Sequence, residues 1–352
     1  MKLIHITATH LNSAGGIPVV LKNLAEAQNR IPDMNATVVS LNADVEHLHS
    51  DCFVRVKLDG LEKYLQKQKP DIVIIHSFFH PEYMRVAQIL IRNHIRYYIE
   101  PHGSFMKAGM GKSRLKKTVA NATVFRRLIR CAYGYIYLNK GEMKRSLYHT
   151  KHDIIIPNGI IPDEQAHEKS DNIKMYYIGR YDIHEKGIDT LIDALSILDQ
   201  RGCSFAFDFF GDGEKESIAF IKERTAHLKN IAVRVNGPVY HEEKDKLLSG
   251  YNISVLLSLH EGLPMTILES WNYGNPCFVT AGTNMAEECV KAQIGWLAGS
   301  GAEEVAAQTE LLLKAYANDK EGYVKRCREH IARKYTWDKI ARRSCCLLKQ
   351  HE

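Results

Sequence analysis

His260-Glu261-Gly262-Leu263-Pro264-Met265-Thr266-Ile267-Leu268-Glu269-Ser270 is the stretch on which the reading of this chain turns. It follows an apolar run, Ile253 to Leu259, that reads as a buried strand, and it precedes another, Cys277 to Thr280. Between them, His260 to Leu263 reads as a turn. Pro264 suits the first position of a helix, where its missing N–H is unpaired in any case. Gly274 and Pro276 punctuate the end of that helix. The order strand, tight loop, helix, strand is the unit of a parallel sheet. It places Glu261 on the loop and Glu269 about one and a half turns inside the helix. Helix N-terminal amides from Leu263 to Thr266 can receive phosphate or sugar oxygens. A carboxylate on either side can accept hydrogen bonds from sugar hydroxyls. Each acid taken alone reads equally as a solvated surface group.

Outward from this stretch, the same alternation covers the chain. Short apolar strands are expected over KLIHITA, Ala36–Leu41, Asp71–His76, Arg96–Glu100, Gly134–Leu138 and Asp153–Ile156, with helices between them. Asn139 reads as a helix cap, with Glu142 three residues on as a capping box. The segment from Ile160 to Asn172 is polar and acidic and reads as a linker. KMYYIGR then restarts the pattern, with further strands at Phe205–Phe210 and Ile231–Val235, and helices fill the remainder after Thr280. Apolar strands alternating with helices imply α/β halves with parallel sheets covered on both faces. Ligands of such sheets bind beyond the carboxyl ends of the strands.

The 352 residues suit two domains of about 150 to 180 residues. Hydrophobic content of 45% with 25% charged residues is the balance of a globular protein, and no apolar run approaches the roughly 18 to 20 residues of a membrane span. The start of the chain shows no signal-peptide pattern, so a cytoplasmic location is expected. The 8 cysteines form no C-x-x-C pair and no zinc-ligand spacing, and they read as structural. Net charge is only +6, but Pro101 to Gly141 holds no acid and contains Lys107, Lys112, Arg114, Lys116, Lys117, Arg126, Arg127 and Arg130. This basic, apolar-interleaved segment reads either as a solvated helix face or as a surface for anionic headgroups or an anionic acceptor. A nucleic-acid role lacks stacking motifs and any recognisable reading module.

Other strand ends carry the remaining candidates. Gly15-Gly16 stands between the first strand and the first helix, where glycine lets a ligand approach backbone amides. Gly179-Arg180 and Lys186-Gly187 put two cations in one strand-to-helix loop, which suits a diphosphate: the Arg fork binds bidentately, the Lys as a point charge. His102-Gly103 follows a first-half strand and can hydrogen-bond a hydroxyl or shuttle a proton, or be a satisfied structural histidine. No G-x-G-x-x-G fingerprint is present, which disfavours a dehydrogenase.

Taken together, these residues resemble the retaining GT-B glycosyltransferases that carry an E-x7-E motif, family 4-like. Glu261 and Glu269 match that motif. Gly15-Gly16, His102-Gly103, Asn158-Gly159, Gly179 to Gly187, Phe210 to Gly213 and Tyr335 to Ile340 match in order, so the resemblance covers nearly the whole chain. It implies two Rossmann-like domains with parallel sheets facing a central cleft. Residues 1–158 with about 336–352 would form the acceptor domain and 159–335 the donor domain, the last helix crossing back to the first. Implied roles are ribose binding for Glu269, donor-sugar contact for Glu261 with the amides of Gly262, Leu263, Pro264 and Met265 in its loop, and diphosphate binding for Arg180 and Lys186 with Gly15 and Gly16. His102 would contact the donor sugar near the reacting carbon, and the donor site would also include Asn158 and Val239, the latter in the loop bordering the base. The implied reaction transfers a hexose or N-acetylhexosamine with retention from a nucleotide-diphosphate sugar, UDP preferred to GDP, without metal or other cofactor. Its acceptor would be a glycan or a polyprenyl-diphosphate-linked glycan in bacterial surface polysaccharide synthesis, such as capsule, O-antigen or exopolysaccharide, at the inner membrane face. No D-x-D motif occurs that would hold a metal ion. A GT-B nucleotide-sugar epimerase and a non-catalytic two-domain binding protein are the alternatives. No signature matches Phe105 to Asn121, the region expected to define the acceptor.

Overall fold

The structure is a computed structural model that describes residues 1–8, 16–42, 45, 48–106, 125–165 and 167–350. The chain divides into two compact units, Met1–Gly159 with Thr336–Glu352, and Ile160–Tyr335. The first contains β1 (Lys2–Thr7), α1 (Gly16–Asn29), β2 (Asn35–Ser40), β3 (Phe53–Arg55), α2 (Leu61–Gln68), β4 (Ile72–His76), α3 (Glu82–Arg92), β5 (Tyr97–Glu100), α4 (Arg126–Arg130), β6 (Gly134–Tyr137), α5 (Lys140–Arg145) and β7 (Ile154–Ile155). All its strands are parallel, in the order β3-β2-β1-β4-β5-β6-β7. Five consecutive residues of β1 and all of β4, β5 and β6 are buried, as expected of strands covered on both faces.

The second unit contains β8 (Lys174–Ile178), α6 (Ile188–Gln200), β9 (Phe205–Phe210), α7 (Lys215–Thr225), β10 (Ile231–Asn236), α8 (His241–Gly250), β11 (Ile253–Leu256), α9 (Met265–Asn272), β12 (Cys277–Thr280), α10 (Ala286–Lys291), β13 (Gly295–Ala298), α11 (Ala302–Asn318) and α12 (Lys320–Lys334). Its parallel sheet runs β10-β9-β8-β11-β12-β13, the doubly wound order, with the crossover reversing between β8 and β11. Trp271 on α9 is fully buried and donates from Nε1 to Ile294 O at 3.1 Å. The final helix, α13 (Trp337–Lys349), belongs to the first unit and packs on α1. Gln28 Nε2 donates to Ser344 Oγ at 3.1 Å, and Arg30 pairs with Asp338 at 2.6 Å.

Several sequence expectations change. Helices do not fill the chain after Thr280, because the edge strand β13 pairs with β12 from Gly295 to Ala298. Four residues, two of them solvent-facing in part, were too few to show a period. Pro264 caps α9 with extended backbone (ψ 117°) instead of opening it. The polar segment after Ile160 is no free linker. Asp163 N donates to Asn272 Oδ1 at 3.0 Å, Arg328 grips the carbonyls of Asp163 and Gln165, and the buried Lys169 donates to Leu248 O and Ser249 O at 2.9 and 3.0 Å. The segment thus straps the second unit. Of the cysteines, Cys277, Cys289, Cys327 and Cys345 are buried, whereas Cys131 and Cys346 are exposed and add nothing to the core.

The reversal at β8 and β11 brings two strand-end loops into contact. Gly187 has φ +64°, and a Cβ there would stand 2.4 Å from Leu257 O. Leu259 N donates to Glu185 O at 3.0 Å, so the two loops are held backbone to backbone. Gly187→Ala should therefore destabilise the protein by at least the roughly 1–2 kcal/mol of a left-handed non-glycine residue. Urea unfolding checks this, and an unchanged midpoint would show that the loops are not locked.

Candidate active site

In the second unit, the loops after β8 and β11 carry Arg180, Lys186 and Glu261, and Glu269 lies on the helix that follows β11. Lys186 Nζ lies 2.5 Å from Glu261 Oε1, and both side chains are mostly buried, at 16% and 17% exposure. The same carboxylate oxygen accepts from Ser258 Oγ at 2.8 Å. The Glu261 backbone is fixed as well: its N–H donates to Gly282 O at 3.0 Å, and its carbonyl accepts from Asn284 Nδ2 at 2.5 Å. Glu261 is thus a buried-edge carboxylate oriented from four directions. Glu269, on α9, pairs with Lys244 Nζ of α8 at 2.6 Å, again with both side chains about one quarter exposed. Arg180 extends from the end of β8 with its side chain exposed, and among the described residues no carboxylate pairs with it. Its carbonyl is pinned by Tyr177 Oη at 2.6 Å.

Leu263 and Pro264 are buried and lead into α9, whose N-terminus has no side-chain cap. Uncapped N-terminal amides at a strand end can bind an anion or sugar oxygen. Val239 follows β10 and packs, half-buried, against the cluster of Tyr176, Leu247 and Leu248. In the same loop Asn236 O accepts from Tyr181 Oη at 2.7 Å. Asn158 is buried in the first unit, and the adjoining Gly159 lies so close to Trp337 that a Cβ would stand 2.7 Å from its ring. Gly16 is the exposed first residue of α1, and Gly15 lies outside the described residues.

The first unit has its own reversal, between β1 and β4, and there the structure builds something the sequence did not suggest. His102, just beyond β5, sits in left-handed backbone (φ +48°) and is followed by Gly103 at φ +82°. Such backbone is uncommon in a non-glycine residue and needs support from its surroundings. Glu142 supplies it: its Oε1 accepts from Gly103 N at 2.6 Å and its Oε2 from Leu138 N at 2.7 Å. Only half of the expected capping box therefore forms. Asn139 Oδ1 accepts from Glu142 N at 2.8 Å, but the Glu142 side chain turns to the loop. Burial lifts the Glu142 carboxyl to about 6, against the opposing pull of those two amides.

Behind His102 lies a run of buried polar side chains. His102 Nε2 is 3.3 Å from His76 Nδ1 and 3.6 Å from Glu100 Oε1, and His76 Nδ1 is 3.4 Å from Glu100 Oε2. His76 Nε2 meets His5 Nδ1 at 2.8 Å, and His5 Nε2 meets Gln28 Oε1 at 2.9 Å. Burial lowers His5 and His102 to about 4. Burial, followed by its two histidine neighbours, lowers His76 well below the usual range. Burial, followed by the Glu142 charge, raises Glu100 well above the carboxylate range. All three imidazoles are neutral at neutral pH. The ligand atoms of His76, Glu100 and His102 lie within 4.8 Å of one another, the one such group among the described residues with a metal-ligand donor set.

The sequence reading named Lys186, Glu261, Glu269 and His102 as candidates, and it did not name Lys244, His5, His76 or Glu100, which the structure sets against them. Of the basic segment Lys107 to Arg130, positions 107 to 124 lie outside the described residues. On the short α4, Arg126, Arg127 and Arg130 are exposed while Leu128 and Ile129 are buried. No helix among the described residues is long and apolar enough to cross a membrane.

Residues 161–330 match the family model described as Glycosyl transferases group 1. The Bacillus subtilis (strain 168) protein EpsF, which carries a provisional glycosyltransferase assignment, is 26% identical over 263 residues. That alignment covers 69% of this chain and 65% of EpsF, so the chain matches just under two thirds of that relative's length. HepE of Anabaena, solved in complex with UDP, superposes with a TM-score of 0.73 at 12% identity, covering 99% of this chain and 100% of HepE. The lipopolysaccharide outer core galactosyltransferase WaaB in its apo form also gives 0.73, at 15% identity, with all of both chains covered. At these identities the structural likeness is one of fold. The chain therefore has the GT-B fold of two parallel-sheet Rossmann-like units, and the second of them carries the match to Glycosyl transferases group 1.

Proposed function

We propose that this protein is a retaining glycosyltransferase that moves a hexose or N-acetylhexosamine from a nucleotide-diphosphate sugar, UDP-linked in preference to GDP-linked, to a hydroxyl of a glycan or lipid-linked glycan in surface polysaccharide synthesis. The observation that carries it is the Lys186–Glu261 pair at the strand-reversal point of the unit that matches group 1, with Arg180 exposed in the same loop as Lys186 and Glu269 on the adjoining helix. HepE, which shares the fold, was solved with UDP-glucose, and WaaB is described as a galactosyltransferase of lipopolysaccharide.

In this reading Arg180 and Lys186 oppose the negative charge that grows on the leaving diphosphate, the largest electrostatic need of the step. Two cations can serve in place of a metal ion, which makes the reaction metal-independent. Glu261, with the amides of its loop, receives donor-sugar hydroxyls, and Glu269 receives those of the ribose. Val239 borders the base, and Gly15, Gly16 and Asn158 complete the donor set. His102 is the first-unit residue that contacts the donor sugar. Front-face attack lets the departing diphosphate take the acceptor's proton, so retention needs no protein nucleophile. The basic segment from Lys107 to Arg130 serves a lipid-linked acceptor at the inner membrane face.

Arg180→Ala, Lys186→Ala and Glu269→Ala should each lower the transfer rate by at least about 10²-fold, the scale for removing one stabilising group. Near-normal turnover in all three would overturn the assignment. Thermal unfolding in the presence of UDP, GDP, ADP and their sugars should show the largest stabilisation with the uridine compounds, since a ligand of the folded state raises stability by mass action. Membrane contact should appear as binding to anionic liposomes that weakens as salt rises. No binding even at low salt would remove that part of the reading.

A further inference from the structure

The buried side chains behind His102 fix where one lone pair points. Ser344 Oγ donates to Ala341 O at 2.8 Å, so its oxygen is the acceptor for Gln28 Nε2 at 3.1 Å. The other end of that amide, Oε1, faces His5 Nε2 at 2.9 Å, which must be the donor. A neutral imidazole has one donor and one acceptor nitrogen. His5 Nδ1 is therefore an acceptor, and the His76 Nε2 facing it at 2.8 Å donates. His76 Nδ1 is left bare. It looks onto His102 Nε2 at 3.3 Å and Glu100 Oε2 at 3.4 Å, and Glu100 Oε1 stands 3.6 Å from the same His102 nitrogen. A hydrogen bond from His102 Nε2–H to His76 Nδ1 can close the first contact, but it leaves Glu100 without a donor. No lysine or arginine among the described residues pairs with this carboxylate. A buried carboxylate is answered by a charged partner, a proton or a metal ion. A metal ion answers all three ligand groups at once.

We propose that His76 Nδ1, His102 Nε2 and the Glu100 carboxylate form a zinc site in the first unit. Tetrahedral zinc with bonds of about 2.0–2.1 Å to nitrogen and oxygen holds its ligand atoms about 3.3–3.4 Å apart. The separations of 3.3, 3.4 and 3.6 Å lie near that value and are longer than ordinary hydrogen bonds. Two imidazoles and a carboxylate are a donor set that zinc accepts, with water as the fourth ligand. The sheet itself places two of the three, because β4 and β5 pair His76 with Glu100 in register. The run from His76 through His5 and Gln28 to Ser344 is the outer support such a site needs. A metal-bound histidine gives its other N–H to a fixed acceptor, which sets the ring's orientation. Glu142 is no ligand, since its Oε1 is spent on Gly103 N at 2.6 Å, holding the loop that carries His102. The ion is a fixed part of the first unit, and the diphosphate remains with Arg180 and Lys186. With Nε2 on zinc, His102 keeps an Nδ1–H for a donor-sugar hydroxyl. That use alone rests on the proposed glycosyl transfer.

Full-length protein expressed with zinc and dialysed against metal-free buffer should retain a stoichiometric zinc ion by elemental analysis. Replacing it with cobalt(II) should give the visible absorption of a tetrahedral site, without the near-ultraviolet thiolate band that the exposed Cys131 or Cys346 would produce. His76→Ala and Glu100→Ala should abolish both signals, whereas Cys131→Ser keeps them. His5→Phe, which removes the acceptor of His76 Nε2–H, should weaken zinc binding by about 10- to 100-fold, the range for losing an outer support. No zinc retained and no cobalt spectrum on stoichiometric addition would overturn the proposal and leave the two rings joined by a plain hydrogen bond. So would zinc that survives both His76→Ala and Glu100→Ala, or a cobalt spectrum with a thiolate band. The wild-type cobalt spectrum decides the point even where a ligand variant fails to fold. None of these measurements uses substrate, so absent transfer activity would count against the proposed function and leave the zinc site standing.

Discussion

A parallel sheet whose crossovers change direction must leave two strand ends uncovered at the point of change, because the following helices depart to opposite faces. In the second unit that point is β8 and β11, and in the first it is β1 and β4. The contact between Lys186 and Glu261 is a consequence. The chain must turn tightly at each end, so Gly187 takes φ +64° and lets the loops after β8 and β11 meet through their backbones. Because they meet, a cation from one loop and a carboxylate from the other stand 2.5 Å apart.

The two reversal points handle polarity in opposite ways. The second unit keeps its charges at the rim, where Lys186, Glu261, Lys244 and Glu269 are each between 16% and 24% exposed and paired with opposite charge. The first unit buries its polar groups and makes its histidines neutral, because desolvation outweighs every other influence on them. Pairing preserves charge for an anionic ligand, whereas burial preserves direction, since a neutral chain of donors and acceptors has few alternative arrangements.

Much of this was legible in the sequence, for definite reasons. Buried parallel strands carry apolar runs, so KLIHIT, IVIIH and FAFDFF stood out. Glu261 and Glu269 stood out because Gly262, Pro264 and Gly274 punctuate the loop and helix that hold them. His5, His76 and Glu100 were not legible as a group, because only the order β1-β4-β5 sets those strands side by side. Lys244 was hidden on a mostly polar helix, where one cation looks like another until α9 packs near it. The strap after Ile160 misled by composition: its polar residues bond to α9, α12 and the end of α8, whereas polarity alone reads as solvation.

The pairing of Lys186 with Glu261 also bears on how binding energy would be used. A lysine free in solution loses rotamer entropy when it grips a phosphate, a cost of about 1.5–2 kcal/mol for a long side chain. Lys186 has already been fixed by folding, so a ligand need not meet that cost. Its ammonium is, however, shared with a carboxylate, which weakens its pull on a diphosphate still bonded to sugar. In the proposed transfer, as the sugar–oxygen bond broke and charge gathered on the diphosphate, the balance would move towards the ligand. An interaction that strengthens along the reaction lowers the barrier more than one that is equally strong throughout. In the proposed transfer, Glu261 would thus serve the reaction partly by holding Lys186 back from the ground state.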